Sequence, residues 1–459
     1  MKFRRCYDVA LAGRPSSSVD VLPEPQVLHL PLWSRRFSFS RLCVKDGQKV
    51  EPGRVLAEDP ANYSIPLLAP RKGTVRLERV ENHVTLEGVS RVPEQAYEPD
   101  ENSPHAPKGM GSVGMKRYKL VGLGAWQFFR EAHGGALPDP FGTPRAVIVS
   151  TLSLEPFQAR GAVHIGKRLE SFTRGLEHIQ SLLEYQPIYL VLPDVESDLA
   201  ERVRQTVRGY AWVTVVTVPL NYPSDNVGVV ARKLGLKHSE PGPVWAVGAG
   251  GVLAVDRALT LSLPSTVRLF TMGGPGAEEP RHLLGVTGYP LKAILGERTD
   301  YARWRVLNGG ALTGERLDPR QAGLDAECEG LTIVREHEGR EFLGFMRPGL
   351  GKRSYSNCFV SVLRGVFPQR QDTALNGEPR ACISCQFCEE VCPCGLMPHL
   401  IHKCLYRDDL EEAERAGIDL CVDCGLCTYV CPSKIELRSQ LIEGRQRVRS
   451  ELHPEEVGP

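Results

Sequence analysis

The sequence predicts a multidomain α/β protein. Its expected parts are an N-terminal β barrel-sandwich, a Rossmann-like α/β layer, a β-grasp subdomain and a C-terminal α-helical domain. Three observations predict this order. Short alternating runs broken by Gly turns fill the N-terminal part, strand-like and helix-like runs alternate through the middle, and ten of fourteen Cys lie between Cys382 and Cys431. A chain of 459 residues has room for about three domains at roughly 150 residues each. Hydrophobic residues at 42% and charged ones at 24% exclude wholesale disorder. Lys plus Arg number 56 against 55 acidic residues, a net charge of +1, so nothing favours a nucleic-acid partner.

In residues 1–116, CVKDGQKVEPGRVLAED and IPLLAPRKGTVRLERVENHVTLEG alternate apolar and polar positions. Asp46-Gly47, Pro52-Gly53 and Lys72-Gly73 punctuate them, which argues short strands joined by turns. This order resembles the barrel-sandwich of biotinyl and lipoyl carriers. A carrier presents a modifiable Lys between the two halves, whereas LAEDPANYSIPL has none, so the unit reads as scaffold. Residues 88–116, rich in Glu, Pro, Ser and Gly, read as a linker.

Residues 117–256 alternate strand and helix. Arg145–Leu152, Pro187–Asp194 and Ala211–Leu220 are buried-strand runs, and GKRLESFTRGLEHIQSLLEY and SDLAERVRQTVRGY between them have helical period. That pattern predicts a largely parallel sheet covered by helices. Glycine turns at Gly122 and Gly124, and again in Val247–Val255, are candidates to bring backbone N–H groups to a phosphate. In residues 257–335 a strand leads to Gly-Gly-Pro-Gly, a second strand begins near Arg281, a helix includes Leu291–Ile294, and RWRVLNGGALTGERL returns as a strand. This is the β-grasp expectation. Its turn at Asn308, Gly309 and Gly310 is a third candidate, for a nucleotide or flavin.

Residues 336–459 carry CISCQFCEEVCP and CVDCGLCTYVCP. Both are C-x2-C-x2-C-x3-C-P, the run of bacterial two-cluster ferredoxins, in which the fourth Cys serves the other cluster. The expected ligands of one [4Fe–4S] cluster are therefore Cys382, Cys385, Cys388 and Cys431, and of the second Cys421, Cys424, Cys427 and Cys392. A zinc site takes four tetrahedral ligands and would leave the third and fourth Cys of each run unexplained. Cys394 and Cys404 read as small buried hydrophobes, and His399 and His402 as residues of the connecting helix. MPHLIHKCLYRDDLEEAERAGIDL between the motifs predicts a helix or helix pair, with the acidic run Asp408–Glu412 on its outer face, and IELRSQLIEGRQRVRSELHP a further helix. Two saturated clusters move single electrons and do no bond chemistry. The longest nearly apolar stretch, Val244–Val255, is about half the roughly 20 residues of a membrane span. The basic N-terminus lacks a sustained apolar core. The expected compartment is the reducing cytosol, where clustered Cys bind metal.

The stretches YDVALAGRPSSS, VKDGQKVEPGRVLAED, GTPRAVIVSTLSLEPF, FTRGLEHI, NGGALTG and TALNGEPRA resemble the A subunit of the sodium-translocating NADH:quinone oxidoreductase (Nqr). The order of domains is also similar to the C subunit of the Rnf electron-transport complex and to the flavin-and-NADH subunit of respiratory complex I. The A subunit lacks cluster ligands, so the resemblance places this chain between the families. It implies a peripheral subunit on the cytoplasmic face of the inner membrane, partnered by membrane subunits and a redox protein, with sodium or protons moved elsewhere in the complex. The Rnf and complex I relatives carry a flavin loop G-L-G-G-A-G-F-P-T. Here the same place reads Gly122-Leu123-Gly124-Ala125-Trp126-Gln127-Phe128-Phe129, with Trp where glycine would let the backbone approach a phosphate. The expected function is thus electron relay through two clusters, with NADH oxidised on a partner. The alternatives are a diaphorase that binds FMN and NADH itself, and a scaffold whose clusters only support folding.

Overall fold

The computed structural model describes residues 11–91, 111–183, 186–195, 197–237, 240–336 and 380–453, with Cys6 and Val9. Most of the expected linker, and nearly all of the TALNGEPRA stretch, lie outside the described residues. The chain is a multidomain α/β assembly of several sheets with a cysteine-rich helical region at its C-terminal end.

The N-terminal strands form two small antiparallel sheets. One runs Val27–Pro31, His83–Ser90, Lys72–Arg76, Lys49–Val50, and the other Arg41–Leu42, Val55–Asp59, Ile65–Leu68. Alternation places Leu28, Leu30, Val84 and Leu86 in the core, as period-2 burial requires. LAEDPANYSIPL forms the hairpin of the second sheet, turning through Tyr63 and Ser64 at φ 53° and 54°. Val19–Val21 leaves this unit and pairs in parallel with Arg281–Val286, so the start of the chain is stitched to the third layer.

The central sheet has the order Val213–Val218, Ile188–Pro193, Ala146–Ser150, Val244–Gly248, Phe129–Glu131. The first four strands are parallel and the last is antiparallel. Helices Leu169–Ser181, Asp198–Val207, Val227–Lys233 and Ala249–Leu261 follow the parallel strands. Ser197 caps one of them by accepting from the Ala200 N–H, and Asn226 caps another by accepting from Gly228 and Val229, which satisfies end groups that a helix cannot pair internally. Gly175 lets two helices touch, since a Cβ there would lie 2.4 Å from the Val252 carbonyl oxygen.

The third layer is a mixed six-stranded sheet ordered Val19–Val21, Arg281–Val286, Val267–Gly273, Gly330–Arg335, Trp304–Asn308, Glu315–Arg316. Helix Leu291–Leu295 lies between Arg281–Val286 and Trp304–Asn308 in the chain. In the C-terminal region the expected connector is a helix pair, Pro398–Tyr406 and Leu410–Arg415. The acidic run does not form one outer face. Asp408 adopts φ 61° and Asp409 caps the second helix through the Glu412 N–H, so short acidic side chains end one helix and start the next. Helix Leu437–Leu452 packs back on the pair at Gly444, where a Cβ would meet Leu405 at 2.5 Å. No helix among the described residues is long and apolar enough to cross a membrane.

Candidate metal centre

The two cysteine motifs are one backbone used twice, thirty-nine residues apart from Cys382 to Cys421. Left-handed residues recur at matching places: Ser384 and Asp423, Gln386 and Gly425, Gly395 and Lys434. Short helices Phe387–Glu390 and Leu426–Val430 match, as do the longer helices that begin at Pro398 and Leu437. These turns aim backbone N–H groups at sulfur two residues back. Ser384 donates to Cys382 Sγ at 3.4 Å, and Phe387, Asp423 and Leu426 donate to Cys385, Cys421 and Cys424. Leu396 donates to Cys392 Sγ at 3.4 Å.

The fold brings together the residues that the spacing pairs. Cys385 lies within electrostatic reach of Cys382 and Cys431, and Cys388 of Cys385 and Cys431. On the other side Cys424 feels Cys427, Cys421 and Cys392. Cys427 feels Cys392 and, across the gap between the groups, Cys388. Burial pushes the Cys388 and Cys427 thiols up to about 12 and holds Cys385, Cys421 and Cys424 above their ordinary value as well. Crowded thiolates without a cation are unfavourable, and metal coordination reverses that cost by replacing protons. Among the described residues no three His, Cys, Asp or Glu converge on a point fit for a single ion. A cubane takes one thiolate per iron corner and needs a wider ring. The donor set, with N–H groups turned to sulfur, fits that group.

His399 approaches Cys388 Sγ at 3.9 Å through Nδ1, and burial lowers its pKa. His402 instead meets Gln440, and Cys394 and Cys404 are buried in the apolar core of this region.

The second cysteine loop is docked on the rest of the molecule. Tyr222 donates its hydroxyl to the Cys424 carbonyl at 2.6 Å, and Asn226 Nδ2 donates to the Val422 carbonyl at 3.2 Å. A Cβ on Gly425 would stand 2.4 Å from the Leu312 carbonyl oxygen. Leu312 belongs to the Asn308–Gly314 turn, which Glu155 clamps. Its buried carboxylate accepts from the Leu312 N–H at 2.8 Å, the Thr313 N–H at 2.6 Å and the Thr313 hydroxyl at 2.6 Å. Gly310 is required there, because a Cβ would overlap the Glu155 carboxyl at 2.3 Å. Gly309 N–H is taken by the Gly330 carbonyl at 2.7 Å, and Asn308 Nδ2 bonds Asp325. The turn is therefore a bridge between layers.

A cavity of about 930 Å³ opens beside it. Ser150, Glu155, Gly248, Gly250, Asn308 and Cys421 are among its walls. The sheet order reverses between Ala146–Ser150 and Val244–Gly248. Crevices at the carboxyl ends of such strands are where open α/β sheets bind ligands. Gly122 and Gly124 are elsewhere. They end helix Ser112–Gly122, and the Gly124 N–H is spent on the Val121 carbonyl at 2.9 Å. A helix C-terminus offers carbonyls rather than N–H groups. Trp126 next to them fills the core, stacked on Phe129 at 4.7 Å and edge-on to Trp245 at 5.3 Å. Glu155, Tyr222 and Asn226 carry no motif in the sequence. Tyr222 and Asn226 signal only by position, just beyond the ends of expected strands, while Glu155 also falls within the GTPRAVIVSTLSLEPF stretch.

The chain is similar to known proteins over much of its length. Residues 115–261 match the family model described as NqrA second alpha/beta domain, a span that covers the central sheet and its helices. The A subunit of the Na(+)-translocating NADH-quinone reductase of Shewanella denitrificans is 27% identical over 87% of this chain and 88% of that protein. Its counterpart from Alcanivorax borkumensis is 27% identical over 95% and 96%, and that of Pseudomonas aeruginosa is 26% identical over 98% and 100%. Among solved structures, a chain of NAD+-reducing [NiFe]-hydrogenase in the H2-reduced state aligns with 75% of this chain and 64% of its own length, at 13% identity and TM-score 0.40.

Proposed function

We propose that this chain is a peripheral electron-transfer subunit of a membrane-associated NADH:quinone oxidoreductase of the sodium-translocating, Nqr/Rnf-like kind. The relatives' names support membership of such a complex, and the cysteine geometry supports this task within it. The single observation that carries the relay is the crossed grouping of eight thiols. Cys382, Cys385, Cys388 and Cys431 would hold one [4Fe–4S] cluster, and Cys392, Cys421, Cys424 and Cys427 the other. Bound clusters supply one-electron acceptance and release. The chain's own residues hold the two centres adjacent, turn N–H groups toward sulfur and press the second loop against the α/β layer. The partners are the membrane subunits, which would carry the ion path, and the site of action is the cytoplasmic face.

Iron, sulfide and flavin measured on one anaerobically purified sample test this reading. Roughly eight irons and eight sulfides per chain without flavin is the expected result. A chain that holds zinc or no metal overturns it.

A second reading, a diaphorase that binds FMN and NADH itself, rests on the cavity. Glycines 248, 250 and 251 line it at the start of helix Ala249–Leu261, together with Arg168 and Arg268. Arg268 is buried and its Nε has no hydrogen-bond partner among the described residues. Stoichiometric flavin with NADH-to-ferricyanide activity in the isolated chain would favour this reading over the relay.

A further inference from the structure

We propose that Arg438 and Arg445 set the reduction potential of the cluster held by Cys392, Cys421, Cys424 and Cys427 above that of its neighbour, making it the member of the pair that retains the electron beside the cavity. The inference rests on the two-cluster reading above and concerns side chains that bind no iron.

Both arginines project from helix Leu437–Leu452 and are only 8% and 5% exposed. Arg445 donates to the Cys421 carbonyl at 2.8 Å and to Asp423 Oδ2 at 2.6 Å. Arg438 donates through Nε to the Asp423 carbonyl at 3.0 Å, and its Nη2 is buried with no hydrogen-bond partner among the described residues. Each guanidinium thus pulls on a carbonyl of the cysteine loop. Those bonds fix each cation against the backbone of Cys421–Cys424. The cations act directly. A reduced cluster carries one more negative charge, so a nearby buried positive charge favours reduction.

The internal repeat supplies the comparison. Thirty-nine residues earlier, the places of Arg438 and Arg445 hold His399 and Tyr406. His399 lies 4.0 Å from the Glu389 carboxylate, and Tyr406, which carries no cation, is 87% exposed. The short helix of the first motif carries Glu389 and Glu390 where the second has Thr428 and Tyr429. Opposing charges are present on both sides. Lys434 is buried just after Cys431, and Lys403 reaches Ser384 Oγ from the surface at 2.8 Å, where solvent screens it. On the second side Asp423 neutralises part of Arg445, and Glu155 faces Arg438. The second side has two buried guanidiniums to the first side's one buried ammonium, and both guanidiniums grip carbonyls of the loop itself.

The test is a redox titration followed by electron paramagnetic resonance on the full chain, anaerobically prepared, as wild type, Arg445→Gln, Arg438→Gln and Arg445→Lys. In each Gln variant one cluster should become at least tenfold harder to reduce, a drop of about 59 mV for one electron. That cluster should be the higher-potential one in wild type, its neighbour should move by less than half as much, and Arg445→Lys should recover most of the loss. Equal shifts of both clusters, no shift, or a shift of the lower-potential cluster would overturn the proposal. Iron analysis accompanies every sample. Eight irons with unmoved potentials defeats this inference alone, whereas an iron-free wild type defeats the relay reading beneath it.

Discussion

Asp225 illustrates how a single side chain reports on the junction between the α/β layer and the cysteine loops. Its Oδ2 accepts from the Leu154 N–H at 2.7 Å, while Oδ1 is buried without a hydrogen-bond partner among the described residues. Burial raises its pKa from 3.8 to about 6, with the Glu155 charge adding to the rise. The native state therefore binds this proton more tightly than the unfolded chain, whose carboxyl keeps its ordinary value. By linkage, this carboxyl's contribution to stability is greatest below pH 4 and falls as pH rises from about 4 to about 6. Above that window the loss is complete and constant. Asp225→Asn should remove this slope and leave a variant relatively more stable at pH 7 than at pH 4. Urea midpoints of both proteins across that range measure it, and parallel curves would refute the assignment.

The paired cysteine loops are the element where repetition and asymmetry can be separated. Gly425 and Gln386 occupy equivalent places and share a left-handed backbone, at φ 74° and 64°. Only Gly425 is pressed against another part of the chain, Leu312, whereas Gln386 is exposed. Gly425→Gln should therefore cost more than the roughly 1–2 kcal/mol of the backbone strain alone, because the loop must also leave Leu312. Gln386→Gly should be neutral or slightly stabilising, since it relieves strain at a site where nothing docks. Thermal melts of the two variants read the contrast, and similar losses would show that docking is irrelevant. This contrast also marks what the sequence could disclose. Cysteine spacing is local, so the two C-x2-C-x2-C-x3-C-P runs were legible, as were the central strands, whose apolar runs need no partner to be recognised. Docking partners such as Glu155, Tyr222 and Asn226 lie far from the cysteines in sequence and have ordinary residue types. The Gly122–Gly124 turn was legible as a turn and no more, for a related reason. Glycine announces a turn, but whether that turn starts or ends a helix depends on the hydrogen bonds around it.

At the scale of the whole molecule, the two loops differ in what would survive loss of metal. The second is held by Tyr222, Asn226, Leu312 and the close approach of Val422 to Gly228, where a Cβ would lie 2.7 Å away. The position equivalent to Val422 is Ile383, 60% exposed, with Ser384 and Gln386 exposed beside it. Metal binding contributes folding free energy where the ligands have little else to order them, and regions with few buried contacts open first. On the proposed two-cluster reading, stripping iron anaerobically should therefore free the amides of Cys382–Cys388 for rapid hydrogen exchange. The amides of Cys421–Cys427 should keep much of their protection through the α/β layer, as should the central sheet. Exchange followed by mass spectrometry on metal-loaded and stripped full chain distinguishes the loops. If both lose protection together, the C-terminal region depends on metal as a single unit, and the second loop's contacts with the body are too weak to order it.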